Sequence, residues 1–335
     1  MPKAVALLLV FALLLSCIGM VESAFAVQDE TDGAVENTWN ITLTEAGGIN
    51  PSTALLTKEG NTWTLNSDIT GTITVKQNNI VLDGNNHTLT VPYVLPFTFF
   101  GGGISLDSVS RTTVMNFNIK GGTLALGLMG SDNNITGNYL GDNYVGISFM
   151  GIDTPSECQN NYVIENTFTN CSTALMMWSC QNNHIYYNNF MGNERIVEDA
   201  VYVGYPQRPV NVNFWDDGGG RGNFWSDYLT RYPNATESGI SGLGDTPYFV
   251  RPASYRDPAN LTDAQSKERY TQINAEYAQN VDHYPLMTPY NGTLATPEGF
   301  PTIAVIVLAV IAAAFGAGGI IYYKKHRNRN LRALI

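Results

Sequence analysis

The sequence has 335 residues, of which 18 are basic and 29 are acidic, and its formal net charge is −11. Residues 27–300, which leave out both apolar ends, contain 12 basic and 28 acidic residues and have a net charge near −16. Nucleic-acid binding is excluded as a role, because phosphates are bound by clustered Lys and Arg side chains.

Residues 1–26 have the pattern of a secretory signal peptide. An apolar run, Ala4 to Leu15, is followed by the small-residue site Ala24-Phe25-Ala26, and cleavage is predicted after Ala26. An alternative is a lipobox, Leu14-Leu15-Ser16-Cys17, with lipid attached to Cys17. Both interpretations place the following chain outside the cytoplasm.

A repeated phrase dominates the next part of the chain. Paired Asn or polar residues, an aliphatic residue and a second Asn recur at 133–140, 161–168 and 183–190. A period of about two dozen residues with short apolar runs is typical of one coil of a solenoid. We predict a parallel all-β solenoid over 62–210, preceded by a lead-in segment at 27–61 of which residues 27–50 are expected to be poorly ordered.

The Asn residues of the phrase are predicted to be structural. Asn138, Asn166 and Asn188 fall at equivalent turns of successive coils. Stacked side-chain amides would satisfy polar groups that are costly to bury unpaired.

The amino-acid composition changes after the coils. Residues 211–290 are rich in Trp, Gly and Asp and are predicted to form an irregular cap. Within them, a helix is expected near 262–279, with Thr262 or Asp263 as its N-cap.

The C-terminal end predicts a membrane anchor. After a stalk at 291–300, residues 301–323 contain no charge and are long enough to cross a bilayer. The basic tail at 324–335 predicts a cytoplasmic C-terminus, with the bulk of the chain extracellular or periplasmic.

Four motifs after the coils carry a resemblance. They are Trp215-Asp216, Asn223 to Tyr228, Gly244 to Tyr248, and Tyr284 to Met287. Together with the coil phrase, they resemble the NosD-type family of right-handed parallel β-helix proteins, whose membrane-anchored surface forms are frequent in archaea. The stretch before Gly244 lacks an Asp that is usual in the family.

The resemblance implies a pectate-lyase-like β-helix. The family's namesake is a periplasmic accessory factor in copper-site assembly of nitrous oxide reductase, and the family is labelled copper-binding. Related β-helices bind or cleave polysaccharides. The implied partners are therefore extracellular glycans or a membrane transporter complex.

Three residues are candidates for copper, which prefers soft sulfur and imidazole ligands. They are Met176, Cys171 and His184, although no standard metal-binding spacing connects them. Ordinary packing in a strand explains the methionine equally well.

Two cysteines are predicted to form a disulfide. Cys158 and Cys180 begin the same phrase, Cys-Gln-Asn-Asn, in successive copies of the repeat. Adjacent coils would bring them about 4.8 Å apart, within the range of a disulfide, and export permits oxidation. Cys171 is then left free and buried.

The cap offers two further candidate sets. Four carboxylates suit Ca²⁺ or simple turn capping: Asp216, Asp217, Asp227 and Asp245. Three aromatic residues either plug the end of the solenoid or, if exposed, stack on sugars: Trp215, Trp225 and Tyr228.

No pair of acidic residues repeats in register with the coils, as a glycosidase would require. We therefore expect a non-enzymatic surface protein, either a glycan-binding or adhesion module or an accessory factor for copper-site assembly. A polysaccharide lyase or glycoside hydrolase is the alternative.

Overall fold

The structure, a computed structural model, describes residues 38–93, 102–151, 157–200, 210–239 and 242–291. Short parallel strands follow one another around a cylinder, and each pairs with the strand one coil earlier and one coil later. The chain therefore forms a parallel β-helix, as the repeat predicts.

Three walls enclose the core. Wall A contains β5 (Ile69–Val75), β8 (Ile104–Asp107), β11 (Leu124–Met129), β14 (Val145–Met150), β17 (Thr173–Trp178) and β20 (Arg195–Asp199). Wall B contains β7 (Thr88–Thr90), β10 (Asn118–Lys120), β13 (Tyr139–Gly141), β16 (Thr167–Thr169), β19 (Asn189–Met191) and β21 (Phe224–Trp225). Wall C contains β4 (Thr62–Leu65), β6 (Val81–Asp83), β9 (Thr113–Met115), β12 (Asn134–Thr136), β15 (Tyr162–Ile164) and β18 (His184–Tyr186).

The beginning of the described chain corrects one prediction. Residues 27–50 are predicted to be poorly ordered, but 38–50 form β1 (Thr38–Leu43) and β2 (Ile49–Asn50), and the rest of the lead-in contains β3 (Leu56–Glu59). The whole of β1 pairs in parallel with β5, and β3 pairs with β4. In β1, apolar residues alternate with polar ones, and Ile41 and Leu43 are buried. This strand therefore adds to the sheet that contains β5.

The cap contains α1 (Tyr228–Arg231), β22 (Tyr248–Phe249), a short 3₁₀ helix (Pro258–Asn260), α2 (Ala264–Tyr277) and β23 (Val281–Asp282). Helix α2 lies within the segment predicted to be helical. Asp263 is its N-cap, and its carboxylate accepts a hydrogen bond from Ser266 N at 2.7 Å.

Neither end of the sequence is among the described residues. The predicted signal peptide, anchor and tail therefore lie outside them, as does all of the stalk after Asn291. Among the residues that are described, none of the helices has the length and apolar composition needed to cross a bilayer.

Two Asn–Asn doublets, Asn160-Asn161 and Asn182-Asn183, form corners of the coils. The first residue of each of these two pairs adopts a left-handed backbone, with φ 54° at Asn160 and φ 57° at Asn182. Asn tolerates this conformation better than most residues do. The second residue, Asn161 or Asn183, points inward and is fully buried.

These inward amides stack in ladders, as predicted for Asn138, Asn166 and Asn188. The Nδ2 of Asn138 donates to Asn166 Oδ1 at 3.0 Å, and the Nδ2 of Asn166 donates to Asn188 Oδ1 at 3.1 Å. Asn188 continues the ladder to Asn223 at 3.0 Å. A second ladder of the same kind runs through Asn133, Asn161, Asn183 and Asn213. Each rung before the last thus donates to its neighbour inside the core. The Nδ2 of the last rung of the second ladder, Asn213, is buried and has no hydrogen-bond partner among the described residues.

Asn280, directly before β23, and Asp282, within β23, end the two ladders. Asn280 Oδ1 accepts from Asn213 N at 3.0 Å and from Trp215 Nε1 at 2.8 Å. Asp282 Oδ2 accepts from Asn223 N at 2.7 Å and from Trp225 Nε1 at 2.8 Å. We call Asn280, Asp282 and the two tryptophans the C-terminal seal.

Candidate functional site

Wall C carries an exposed set of aromatic side chains on its outer face. In-register pairing of β15 with β18 places His184 over Tyr162 and Tyr186 over Ile164. An isolated bridge then places Phe214 over His184. We call these five residues the aromatic patch.

Three rings of the patch, those of Tyr162, His184 and Phe214, form a continuous stack. Tyr162 and His184 have ring centroids 4.5 Å apart and planes 5° apart, and His184 and Phe214 are 4.8 Å and 19° apart. Tyr162 is 40% exposed and Phe214 is 50% exposed. Because the ladders beneath fix the spacing of the coils, the rings are held in place before any partner binds.

Burial sets the protonation of the patch. It lowers the pKa of His184, so the imidazole between the two rings is neutral at neutral pH. Burial also raises the pKa of Tyr186, with a smaller contribution from Asp217. The patch is therefore an uncharged surface on a strongly acidic chain.

Sequence reasoning missed this patch, although a signal was present. Tyr162, His184 and Phe214 each directly follow a ladder asparagine. Equivalent positions in successive coils lie above one another, so three ring-bearing residues there predict a stack.

The three aromatic residues predicted either to plug the solenoid or, if exposed, to stack on sugars are buried, so the plug is the correct alternative and the sugar platform is wrong. Trp215 and Trp225 are 1% exposed and Tyr228 is 2% exposed. Both indoles belong to the C-terminal seal. Trp225 also stacks between Phe190 at 4.7 Å and Tyr248 at 4.2 Å, so its two faces are covered.

The four carboxylates proposed for Ca²⁺ do not converge. Asp216 accepts from His283, and Asp217 accepts from the backbone of its own turn at Gly219 and Arg221. Asp227 accepts from the Tyr248 hydroxyl at 3.0 Å, and Asp245 caps Thr236. Each carboxylate has its own hydrogen-bond partners, and turn capping is the correct interpretation for Asp217. Across the described ranges, no group of three or more His, Cys, Asp and Glu is placed to hold a metal ion.

The three copper candidates also lie apart. His184 is in the aromatic patch on wall C, and Met176 is in β17 of wall A. Cys171 lies at the corner between walls B and A, where it replaces a ladder asparagine. Its Sγ donates to Leu140 O and Thr169 O, the acceptors equivalent to those that Asn143 Nδ2 uses one coil earlier.

The predicted disulfide is absent, because Cys158 and Cys180 are both free thiols. The spacing correctly predicted that the two cysteines lie on adjacent coils, because the next residues, Gln159 and Gln181, form a parallel β-bridge. However, Cys158 Sγ donates to Leu128 O at 3.5 Å, while Cys180 Sγ contacts Met177 Sδ at 3.4 Å. Each sulfur takes its own partner rather than turning toward the other.

Comparison with known proteins agrees with this architecture. The model of a family described as periplasmic copper-binding protein (NosD) matches residues 65–230. The match covers nearly all of the coils, the aromatic patch and both tryptophans of the C-terminal seal. No curated protein matches the chain.

Proposed function

We propose, from the premise that this chain belongs to the NosD family, that it is a non-enzymatic accessory factor for copper-site assembly outside the cytoplasm. The periplasmic setting of the family supports an extracellular or periplasmic location. We further propose that the predicted segment 301–323 anchors the chain to a membrane. The observation that carries the proposal is the exposed aromatic patch within the matched region.

The patch has the properties of a protein-docking surface. Aromatic side chains dominate the binding energy of many interfaces, and clusters of exposed apolar rings mark interaction sites. Here the buried amide ladders already fix the rings, so little conformational entropy is lost on binding. A protein of the copper-assembly machinery, such as a transporter complex or the recipient enzyme, is the proposed partner.

The soft donors in the described part of the chain do not fit a copper ion. The closest set is Met177, Cys180 and the nearby Cys158, all of them buried. Burial raises the pKa of Cys158 to about 12 and that of Cys180 well above its ordinary value. Copper requires the thiolate, and these neutral thiols are shielded from solvent. We therefore assign them to packing, and the proposed role acts through partner binding.

The test is to disrupt the patch in the full chain in its own host. The variant Tyr162→Ser, His184→Ser, Phe214→Ser should reduce the copper content of the recipient enzyme several-fold, to the level of cells that lack the protein. Tyr139→Ser is the matched control, because Tyr139 is 45% exposed on wall B, away from the patch. Normal copper loading in the patch variant, or in cells without the protein, would overturn the proposal.

Glycan binding is a second candidate, favoured by the exposed rings of Tyr162 and Phe214. Sugar C–H faces pack on open aromatic rings. Each of these rings stacks on His184 through one face, and Tyr162 stays 40% exposed and Phe214 50% exposed. Retarded migration of the wild-type chain, but not of the patch variant, in gels containing polysaccharide would favour this candidate.

A further inference from the structure

The last described residues return to the side of the β-helix. We call Leu286–Asn291 the strap. Leu286 is buried, its backbone N donates to Asn223 O at 2.8 Å, and it bridges Phe224. From there the strap runs to Tyr290, which contacts coils much earlier in the sequence.

The backbone of Tyr290 is held by one side chain. Asn189 Oδ1 accepts from Tyr290 N at 2.6 Å, and Asn189 Nδ2 donates to Tyr290 O at 2.9 Å. A single amide thus makes the pair of bonds that a neighbouring β-strand would make. This geometry fits an extended segment lying on wall B.

The side chain of Tyr290 is held separately. Its hydroxyl donates to Glu165 Oε1 at 2.8 Å, and its ring centroid lies 4.6 Å from that of Tyr187. Burial, followed by Glu165, raises the pKa of Tyr290 to about 12, so the phenol keeps its proton at neutral pH.

Both residues that hold the Tyr290 side chain have an unusual backbone. Glu165 (φ 61°) and Tyr187 (φ 59°) occupy left-handed corner positions that Asn116 and Gly137 fill on the preceding coils. Side chains of these types cost roughly 1–2 kcal/mol in that conformation. Such strain is concentrated at functional sites. Here it occurs on the two consecutive coils that meet the strap.

The strap also covers a ring that continues the aromatic patch. Tyr187 is only 7% exposed, and its ring centroid lies 5.6 Å from that of Tyr186, a member of the patch. The guanidinium of Arg221 lies 5.5 Å from the Tyr187 ring. Removal of Tyr290 would therefore extend the patch around the corner toward wall B.

We infer that the strap is a latch: closed, it covers Tyr187, and released, it adds Tyr187, Glu165 and Asn189 to the docking surface. This inference rests on the proposed function, because it regulates the same patch. At its Tyr290 end the latch is held by the side chains of Asn189, Glu165 and Tyr187. Leu286 at its other end is buried, as are the ladders. Release should therefore occur without unfolding of the coils.

Hydrogen exchange of the Tyr290 backbone amide in the full chain tests the latch without any partner. Tyr290→Phe removes the hydroxyl that reaches Glu165, and Glu165→Gln removes the charge that accepts it. We expect the Tyr290 amide to exchange about tenfold faster in both variants, as loss of one charge-assisted hydrogen bond implies. The backbone amides of Asn166 and Asn188 should be unaffected. Tyr139→Phe and Glu194→Gln are matched controls on exposed side chains away from the strap.

Two results would overturn the latch. One is an unchanged Tyr290 exchange rate in both variants. The other is a Tyr290 amide that exchanges only together with Asn188, since release would then require unfolding of the coils. Because the copper content of the recipient enzyme does not enter this measurement, failure of the latch is distinguishable from failure of the proposed function.

Discussion

The coils and the C-terminal seal solve the same problem in different ways. In the coils, the side-chain amide of an inward Asn donates a hydrogen bond to the Asn of the next coil, as in Asn138 and Asn166. At the seal there is no further coil, so the last backbone amides are satisfied by Asn280 and Asp282, which follow helix α2. Repeated coils can satisfy the hydrogen bonds of each other's buried amides, but the last coil needs an acceptor from elsewhere in the chain.

The two regions also differ in charge. Every ladder rung in the coils is neutral, whereas Asp282 adds a carboxyl group that is fully buried. Gly222 lies so close that any Cβ there would overlap this carboxylate. Burial raises the pKa of Asp282 to about 7, although three N–H donors from Asn223, Trp225 and Tyr284 favour the ionised form. The seal should therefore respond to pH where the coils do not.

The largest effect is expected from breaking a ladder in its middle. Asn166→Ala leaves the amide of Asn138 and two carbonyl groups without their buried partner. We expect a loss of about 3 kcal/mol in the free energy of unfolding, measured by urea titration. Asn170→Gly, at an exposed left-handed corner of the same coil that glycine adopts without strain, should cost under about 1 kcal/mol. Equal costs for the two variants would show that the ladder is not what holds the coils.

The second prediction is that the pH dependence of stability comes from the C-terminal seal and not from the coils. Because the folded pKa of Asp282 is above the ordinary value of 3.8, the folded protein keeps a proton that the unfolded chain has lost. Stability should therefore fall as the pH rises from about 4 to about 7, by a few kcal/mol at most. Asp282→Asn should remove this slope.

Urea titrations at pH 5 and pH 8 measure this effect. Asp263→Asn is the control, because that carboxyl caps α2 at the surface and its pKa is lowered by bonds to Ser266. It should leave the slope between these two pH values unchanged. An identical slope in the wild type and in Asp282→Asn would remove the seal as the pH-sensitive element.

The interior of the repeat was predictable, whereas its ends were not. The doublet Asn160-Asn161 encodes both a left-handed corner and an inward amide, and it recurs at Asn182-Asn183, so periodicity reveals the ladder. Asn280 and Asp282 follow an inserted helix and belong to no repeat. The sequence therefore does not show that they complete the ladders, although it does offer Trp215 and Trp225 as a plug for the end of the solenoid.

Side-chain direction limited the site predictions in the same way. Spacing placed Cys158 and Cys180 on adjacent coils, but the choice of rotamer decides whether two sulfurs bond. Asp216 and Asp217 are neighbours in sequence, yet one accepts from His283 and the other from its own turn. The aromatic patch was predictable in principle, because its rings follow ladder asparagines.

A third prediction extends the ladder where it is interrupted. Cys171 uses the carbonyl acceptors of a ladder rung but offers no oxygen to Asn143, and its own backbone N donates to Asn193 Oδ1 at 2.9 Å. Cys171→Asn should complete the ladder and raise the unfolding free energy by about 1 kcal/mol. Cys171→Ser, too short to reach both neighbours, should give no gain in the same titration. A destabilised Cys171→Asn protein would mean that the corner cannot accept the larger side chain.

The smallest effect is expected at the aromatic patch. Phe214→Ala removes a half-exposed ring that stacks on His184. The free energy of unfolding should fall by about 0.5 kcal/mol, as is usual for exposed positions. A loss above about 2 kcal/mol would mark Phe214 as a core residue and weaken the case for a docking surface.

Native-state hydrogen exchange of the ladder residues is the most direct test that buried amides hold these coils as one rigid support for the patch. The backbone amides of Asn138, Asn166 and Asn188 should all exchange with the free energy of global unfolding. Separate, lower opening energies that change from coil to coil would show that the coils open independently, and the rigid support proposed for the aromatic patch would not exist.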